Sequence, residues 1–317
     1  MTLALQLVTY NSSVYLPFLF DSLAQQTDQD WTLFILDNSN REERGKTRSL
    51  VETYDKRLSI RYEESAKNIG FAGGHQRLFT EHDAELIQLV NPDVILDPDS
   101  IATLRRAFES WEELGSATGA IFRWEWKGGQ PNKTQDVDSL GLHVAPSGKV
   151  TDLTGGQDGS VPDEMRQVFG VSGCLPMVRR AAVEQASCDG HLFDPLYVIY
   201  KEDVDLAYRL YAGGWIAALV PQAKAYHYRA FKPSWLHRDA SRFLQFYSYR
   251  NHLWNTIVYT SWREGLLRSW ALVPFELAKF FFLLAFHPSI VRDTIRDTRQ
   301  HWAHLINKRM FYAHTNR

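Results

Sequence analysis

The sequence predicts an α/β fold, in which a mostly parallel sheet is flanked by helices and followed by a C-terminal helical extension. Short apolar runs alternate with helical patterns through the first part of the chain, as in parallel sheets covered on both faces. Of the 317 residues, 44% are hydrophobic and 23% charged, so a sizeable core is available. Beyond residue 235 the pattern becomes aromatic, basic and helical. We therefore expect two regions, residues 1–232 and 233–317.

The first elements follow one another in strand–helix order. Four apolar runs predict strands, at residues 3–8, 32–36, 59–62 and 86–90. Four helical patterns follow them, near residues 14–26, 44–54, 68–82 and 100–114. Residues 125–165 are rich in turn formers and predict loops with at most an edge hairpin. A later apolar strand is expected at residues 216–220.

A polar residue lies just after each of the four predicted strands. These residues are Asn11, Asp37, Asn68 and Asp93. Ligands of open α/β sheets bind beyond the carboxyl ends of the strands, so we expect the four side chains to converge on one edge. Any one of them alone would be interpreted as a turn or a helix cap. Four at equivalent places favour a binding site.

The segment "YKEDVDLAYRLYAGGW" (200–215) places Glu202, Asp203 and Asp205 at the start of a predicted helix. Acidic residues in a first turn stabilise a helix through its dipole. A carboxylate at an apolar pocket rim, here provided by "LYVIY", is also suited to act as a general base. The pattern leaves both interpretations open. His227 in "YHYR" is similarly open, because a lone histidine is more often structural than a metal ligand.

Charge and cysteine content restrict the partners. The net charge of −2 gives no reason to expect nucleic acid as a partner. Residues 241–317 carry +7 and the first 240 residues −9, an asymmetry that favours a membrane surface or another anionic partner. Cys174 and Cys188 lack metal-type spacing and indicate a reducing compartment. The amino terminus predicts a first strand and no secretory signal.

The apolar segment 266–286 is long enough to cross a bilayer, but Arg268, Glu276 and Lys279 interrupt it. Each charge costs roughly 2.5–3.5 kcal/mol near the centre of a membrane helix, so we expect no membrane span. Two alternatives remain: a helical cap packed on the first region, or a helix lying in the membrane interface. The basic charge and the many aromatic residues favour peripheral attachment.

The order of several motifs carries a family resemblance. They are "LVTYN", "FILDNSN", "KNIGFAGGHQR", "LVNPDV", "VSGCLPMVRR", "FDPLYVIYKEDVDLAYRLYAGGW" and "AYHYRA". In this order they resemble the family 2 glycosyltransferases with a GT-A (Rossmann-like) fold, and especially rhamnosyltransferase-like members. The resemblance covers about residues 3–230.

The resemblance implies roles for individual residues. Asp203 would be the catalytic base with Glu202 beside it, and Asp93, with His227, would hold Mg²⁺ or Mn²⁺. The residues expected to bind the nucleotide sugar are Thr9, Tyr10, Asn11, Asp37, Asn68, Gly70, Gly73 and Asn91. The sequence departs from the family pattern at Asn91, which replaces the first aspartate of a D-x-D motif. It departs again in "CDGHLFDP", which lacks the double glycine often found before F-D-E.

The resemblance implies an inverting glycosyltransferase of cell-surface polysaccharide synthesis, peripheral on the cytoplasmic face of the membrane. It would move a sugar, preferably rhamnose from dTDP-rhamnose, to a saccharide or lipid-linked saccharide acceptor. A UDP-sugar donor is the first alternative, and a non-catalytic sugar-nucleotide-binding scaffold is the second. A nucleotidyltransferase would normally carry a Gly-rich, basic loop after the first strand, and "TYNSS" is no such loop.

Overall fold

The computed structural model describes residues 1–154, 160–229, 241–260 and 262–315. The strands are Leu3–Thr9 (β1), Thr32–Asp37 (β2), Ile60–Glu64 (β3), Leu86–Leu89 (β4), Val94–Leu96 (β5), Leu114–Lys127 (β6), Gln130–Ser139 (β7), Leu142–Val144 (β8), Val150–Asp152 (β9), Arg166–Val168 (β10), Met177–Arg179 (β11) and Ile216–His227 (β12). The helices are Leu16–Ala24 (α1), Arg41–Tyr54 (α2), Gly70–Phe79 (α3), Ser100–Ser110 (α4), Arg180–Ala186 (α5), Glu202–Ala212 (α6), Arg242–Tyr259 (α7), Trp262–Leu267 (α8), Ser269–Phe286 (α9), Pro288–Gln300 (α10) and Trp302–Thr315 (α11). A short 3₁₀ turn spans Pro195–Tyr197.

One half of the main sheet is parallel and follows the predicted strand–helix order. Its strands run β3–β2–β1–β4, and each neighbouring pair is parallel. All seven residues of β1 are buried, which explains its continuous apolar run. The α/β class and the four early strands are confirmed. Their carboxyl ends form the edge at which the polar residues were expected.

The other half of the sheet makes the whole sheet mixed. Strand β11 is antiparallel to both β4 and β6, and β12 is parallel to β6. The sequence pattern predicted no strand at β11 or at the start of β6. The first residues of β6 are mostly small and have weak strand propensity. They are needed because neighbouring backbone approaches closely: a Cβ on Gly119 would lie 1.9 Å from the Ala223 carbonyl oxygen.

The expected edge hairpin is present, formed by β6 and β7. Its turn is Gly128–Gly129, and both glycines have positive φ (60° and 79°), as a two-residue type I′ turn requires. The segment 125–165 also contains the short β8–β9 hairpin. The predicted strand at 216–220 is the first part of the longer β12, which continues to His227.

Two hydrophobic cores cover the two faces of the sheet. The first packs α1, α2 and α4 against it. The second combines α3, α5 and α6 with Trp254 and Val258 of α7 and with Leu305 and Tyr312 of α11. Helices α7 and α11 therefore form a helical cap on the first region.

Buried ion pairs fasten this cap. Lys308 of α11 lies 2.7 Å from an Asp205 carboxylate oxygen and 3.0 Å from one of Asp194. Asp205 also accepts a hydrogen bond from the Tyr259 hydroxyl of α7 and pairs with Arg209. Because these groups are buried, removing one partner would leave an uncompensated charge in the core. Asp205 thus connects the first turn of α6 to two helices of the cap.

Helix α9 differs from the rest of the cap. None of its 18 residues is buried. It is long and apolar enough to cross a membrane by length and composition, and it is the one such helix in the described part of the chain.

Candidate active site

The carboxyl ends of β1 and β2 lie side by side and form the first part of the candidate site. Thr9 and Asp37 are paired across the two strands, and the Asn38 N–H donates to the Thr9 carbonyl at 2.8 Å. The Thr9 hydroxyl is buried without a hydrogen-bond partner in the described residues. Tyr10 is exposed, and Asn11 has a φ of 51° and accepts from the Asn40 N–H at 3.1 Å. Thr9, Tyr10 and Asn11 therefore lie at this edge, and their part in donor binding stays a prediction.

Asp37 lies beneath this edge, where protein groups occupy its carboxylate. It is fully buried, with one oxygen accepting from the Ser39 N–H at 2.8 Å and the other from the Tyr62 hydroxyl at 3.0 Å. Burial and the Asp37 carboxylate raise the pKa of Tyr62 well above its usual value, so the phenol stays a donor. Sequence reasoning did not identify Tyr62, which follows no recognisable motif.

The "NIGFAGG" segment begins α3. Asn68 accepts from the Gly70 N–H at 2.8 Å, and Gly70 has a φ of +78°. A Cβ on Gly70 would lie 2.6 Å from the Val198 carbonyl oxygen, so only glycine fits there. Gly73 has ordinary contacts. The glycine required for packing against the sheet is Gly74, whose added Cβ would lie 2.8 Å from Val8, and sequence reasoning did not single it out.

The segment between the 3₁₀ turn and α6 is strained. Val198, Tyr200 and Lys201 all have positive φ, between 60° and 67°. Non-glycine residues rarely adopt this conformation, and such strain collects at functional sites. Lys201 is the residue that precedes α6, so the strain sets the direction in which α6 presents its first acidic residues.

Asn251 of α7 holds this strained segment. Its fully buried side-chain amide donates to the carbonyl oxygens of Tyr197, Ile199 and Tyr200, at 2.9, 3.0 and 2.6 Å. Asn255, one turn later, donates to the Lys201 carbonyl at 3.2 Å. The cap therefore determines the backbone that leads into α6, a role invisible in the sequence.

Glu202 and Asp203 are the first two residues of α6. Asp203 remains partly exposed and is oriented by the N–H groups of Gly173 and Val204, at 3.1 and 2.7 Å. Glu202 is buried, and one of its carboxylate oxygens has no partner in the described residues. Burial raises the pKa of Glu202 to about 8, helped by the adjacent Asp203, and partial burial also raises the pKa of Asp203. At neutral pH the pair can therefore hold one proton and leave the other carboxylate free.

Asp93 and His227, far apart in sequence, come together. Pro92 and Asp93 occupy the turn after β4, and an Asp93 oxygen lies 3.4 Å from His227 Nε2 at the end of β12. The backbone oxygen of Asp93 accepts from the Trp124 indole N–H at 2.9 Å, which fixes the turn on β6. Carboxylate oxygen and imidazole nitrogen are ligands that Mg²⁺ or Mn²⁺ accepts.

Asp138, which sequence reasoning missed, supports His227 from behind. This fully buried carboxylate lies 2.9 Å from His227 Nδ1, 2.9 Å from Arg229 and 3.3 Å from Arg123. Burial alone would lower the pKa of His227, but hydrogen bonds with Asp138 and Asp93 outweigh it and raise the pKa to about 9. The ring is thus fixed with Nδ1 on Asp138 and Nε2 directed at Asp93.

The "VSGC" segment joins the two halves of the site. The Gly173 N–H donates to Asp203, and the next residue, Cys174, accepts from the Asn91 N–H at 3.0 Å. The turn carrying Asp93 and the helix carrying Asp203 therefore border the same two residues. In the described residues, no three carboxylate, histidine or cysteine side chains are grouped as a metal centre. A cation here would have Asp93 and His227 as protein ligands and would need further oxygens from a substrate.

We expect Asn251→Ala to destabilise the protein and to impair any reaction that depends on Glu202 and Asp203. Three carbonyls would lose their shared donor, and an unsatisfied buried polar group costs about 1–3 kcal/mol. The free energy of unfolding, measured by urea denaturation, checks the first expectation. Thr256→Ala is the control on the same helix, since the Thr256 hydroxyl donates within α7, to the His252 carbonyl. Equal stability of the two variants would contradict the role assigned to Asn251.

Comparison with known proteins agrees with the motif order. The sequence profile described as "Glycosyl transferase family 2" matches residues 6–186. The chain is 27% identical over 284 residues to the N-acetylglucosaminyl-diphospho-decaprenol L-rhamnosyltransferase of Mycobacterium tuberculosis. That alignment covers 84% of this chain and 87% of the relative.

Solved structures share the fold at low sequence identity. GalNAc-T7 bound to UDP, GalNAc and Mn²⁺ aligns with a TM-score of 0.62 and 12% identity over 81% of this chain, which spans about half (48%) of that protein. S. aureus TarS 1–349 with UDP-GlcNAc aligns with a TM-score of 0.59 and 15% identity. The alignment covers 90% of this chain and 74% of TarS 1–349. The mannosyltransferase PcManGT from Pyrobaculum calidifontis, with GDP-Man and Mn²⁺, aligns with a TM-score of 0.55 and 13% identity. The alignment covers 99% of this chain and 86% of PcManGT.

Proposed function

The chain belongs to glycosyl transferase family 2 and has the GT-A fold, and from this we propose that it is an inverting sugar transferase. It moves rhamnose, from dTDP-rhamnose, onto a lipid-linked saccharide in cell-surface polysaccharide synthesis. One observation carries the proposal: Gly173 and Cys174 join the Asp93 turn to Asp203, so the proposed diphosphate site and the candidate base are adjacent. The family resemblance read from the motifs is confirmed.

The choice of donor is supported by the M. tuberculosis relative, whose name specifies an L-rhamnosyltransferase. UDP-sugars are the alternative, because TarS is similar in fold and is seen with UDP-GlcNAc. In our proposal Thr9, Tyr10 and Asn11 form the base and ribose side of the donor site, and the buried Asp37 supports it from beneath. Asn68, Gly70, Gly73 and Asn91 form the side nearer the diphosphate and sugar.

We assign Asp93 and His227 as ligands of Mg²⁺ or Mn²⁺, with diphosphate oxygens completing the set. Binding requires His227 to lose its Nε2 proton, because only a neutral imidazole is a metal ligand. The assignment is supported by the 3.4 Å separation of the two side chains and by Mn²⁺ in GalNAc-T7 and PcManGT. A bound divalent cation offsets the negative charge that develops on a departing diphosphate. Asp138 orients His227 for this task, because its contact with Nδ1 leaves Nε2 directed at Asp93.

Asp203 is the proposed general base. It accepts the proton of the acceptor hydroxyl as that oxygen attacks the anomeric carbon from the side opposite the diphosphate, which inverts the configuration. Gly173 and Val204 hold the carboxylate in place, and its partial exposure leaves it accessible to an acceptor. The raised pKa of Glu202 favours its protonated form, which adds no second negative charge beside the base.

The acceptor class and the location rest on the relative and on the cap. The name of the M. tuberculosis relative specifies a lipid-linked saccharide substrate. Such an acceptor lies at a membrane, and helix α9 offers an exposed apolar surface. We therefore propose a cytoplasmic enzyme attached peripherally to the cytoplasmic face of the membrane.

Turnover of a nucleotide-sugar panel tests the function as a whole. We expect release of dTDP from dTDP-rhamnose that increases when a membrane extract supplies the acceptor. Greater release of UDP from a UDP-sugar would show that the donor is a UDP-sugar and not dTDP-rhamnose. Binding of a nucleotide sugar without release of any nucleoside diphosphate, with the extract present, would instead indicate the non-catalytic scaffold.

Asp93→Ala should reduce turnover to background in the presence of Mn²⁺ while the protein remains folded, because the side chain is partly exposed and not part of the core. Mn²⁺ binding in the presence of nucleoside diphosphate, followed by electron paramagnetic resonance, should weaken in the same variant. Asp97→Ala is the control, since Asp97 lies on the next turn and pairs with Lys133. Full activity of the wild-type enzyme in excess EDTA would exclude the metal role.

Asp203→Asn should lower kcat by about 10²–10⁴-fold, the usual contribution of a general base. Asparagine keeps the size but cannot accept the proton, so melting and nucleotide binding should hardly change. Glu202→Gln should be milder at neutral pH, because it imitates a protonated carboxyl group.

The pH profile separates these two carboxylates. Wild-type kcat should decrease as the pH falls through the raised pKa of Asp203, because the base becomes protonated. The ionisation of Glu202 near pH 8 should be absent from Glu202→Gln. A near-normal kcat for Asp203→Asn would refute the mechanism while leaving the fold unaffected.

A further inference from the structure

Helix α9 has one wholly apolar exposed face. Five of its exposed large side chains are Trp270, Val273, Leu277, Phe281 and Leu284. They follow one another at intervals of three or four residues and therefore form a single stripe along the helix. Their exposed fractions range from 45% to 73%, whereas the core residues of the cap are below 10%. This stripe is a surface of the kind that soluble proteins rarely leave open.

The two charged residues of α9 are directed away from the stripe. A Glu276 carboxylate oxygen lies 2.5 Å from Nε2 of His252 on α7. The Lys279 ammonium group lies 5.2 Å from the centre of the Tyr249 ring, which is also on α7. Contacts with α7 thus hold both charged groups on the side of α9 that faces the protein. A membrane-spanning placement would have to break these contacts, whereas a helix lying flat in the interface keeps them.

Helix α10, which follows directly, carries three arginines on one exposed face. Arg292, Arg296 and Arg299 are spaced by four and three residues, with Ile295 between them. The side chains of Arg292 and Arg296 are 74% and 76% exposed. Asp293 is the acid beside them and is shared with Arg242, so this face keeps a net positive charge.

A groove of about 490 Å³ lies where the end of α9 meets α10. Its apolar lining includes Leu284 and Val291, and its basic lining consists of the three arginines of α10. Leu284 also ends the apolar stripe of α9. The groove therefore places positive charge at the margin of an apolar surface, the arrangement by which interfacial helices recognise lipids with anionic headgroups.

We propose that this groove binds the phosphate of an anionic phospholipid while the apolar stripe of α9 lies among the acyl chains. Guanidinium groups suit phosphate because they donate paired hydrogen bonds and keep their charge. A bilayer with anionic lipids supplies both parts of the occupant. Its headgroups carry the negative charge that the arginines of the groove require, and its acyl chains match the apolar stripe. The inference deepens the membrane attachment that belongs to the proposed function, and it names the residues and the lipid chemistry.

Vesicle co-sedimentation of the full-length protein tests the proposal. Wild-type protein should bind vesicles of phosphatidylcholine with phosphatidylglycerol more tightly than vesicles of phosphatidylcholine alone, and high salt should weaken the difference. The combined variant R292Q/R296Q/R299Q should lose about fivefold in binding for each charge, or about 100-fold in all, on anionic vesicles. The matched control is R41Q/R61Q/R106Q, which removes three exposed arginines from the other region of the chain.

A second variant tests the stripe. L277S/F281S should fold normally, because both side chains are exposed, and should lose binding to both kinds of vesicle. Wild-type binding by the groove variant, or no preference for the anionic vesicles, would overturn the proposal. So would a lipid-free dimer, detected by sedimentation, that L277S/F281S disperses, since the stripe would then bind a second copy.

Activity provides the remaining control. Turnover with a water-soluble acceptor should be unchanged in the groove variant, because none of the three arginines lies in the candidate active site. The vesicle assay uses neither donor nor acceptor. If sugar transfer itself were not found, the vesicle result would still decide whether the groove binds anionic lipid.

Discussion

The amide of Asn251 is the contact on which the candidate active site depends most. It donates to three carbonyl oxygens of a segment in which Val198, Tyr200 and Lys201 have positive φ, a conformation that would relax without these bonds. The segment leads directly into Glu202 and Asp203, and the Val198 carbonyl also accepts from Ala72 at the start of α3. A helix of the C-terminal region therefore determines the shape of a site whose chemical groups belong to the first region.

Buried ion pairs also connect the C-terminal helices to the first region. Asp205, two residues after Asp203, is neutralised by Arg209 and by Lys308 of α11, which also reaches Asp194. Charges inside a core are tolerated only when they are paired, so α6 and α11 must fold together. The three acids at the start of α6 thus divide their work. Asp205 pairs with the cap, Asp203 remains partly exposed, and Glu202 is buried with a raised pKa.

The cap also links the site to the exposed surface. His252 follows Asn251 on α7 and meets Glu276 of α9, so the helix with the open apolar stripe is joined to the helix that holds the strained segment. If α9 lies on a membrane, as we propose, the same cap would hold the cleft near lipid-linked acceptors. The charges of α9 then have a structural reason: they attach the helix to the protein and leave its outer face apolar.

Patterns in the sequence were sufficient to predict the parallel half of the sheet and the family, because strand ends and short motifs are local in the chain. The sequence did not reveal β11 or the start of β6. Small residues form the start of β6 because neighbouring backbone packs closely against Gly119 and leaves no room for a larger side chain. Nor did it reveal Asp138, Tyr62 or Asn251, which act through contacts with residues 25 to 89 positions away. Which acid at the start of α6 is structural and which is free was decided by tertiary structure alone, since burial and partners from α7 and α11 make that distinction.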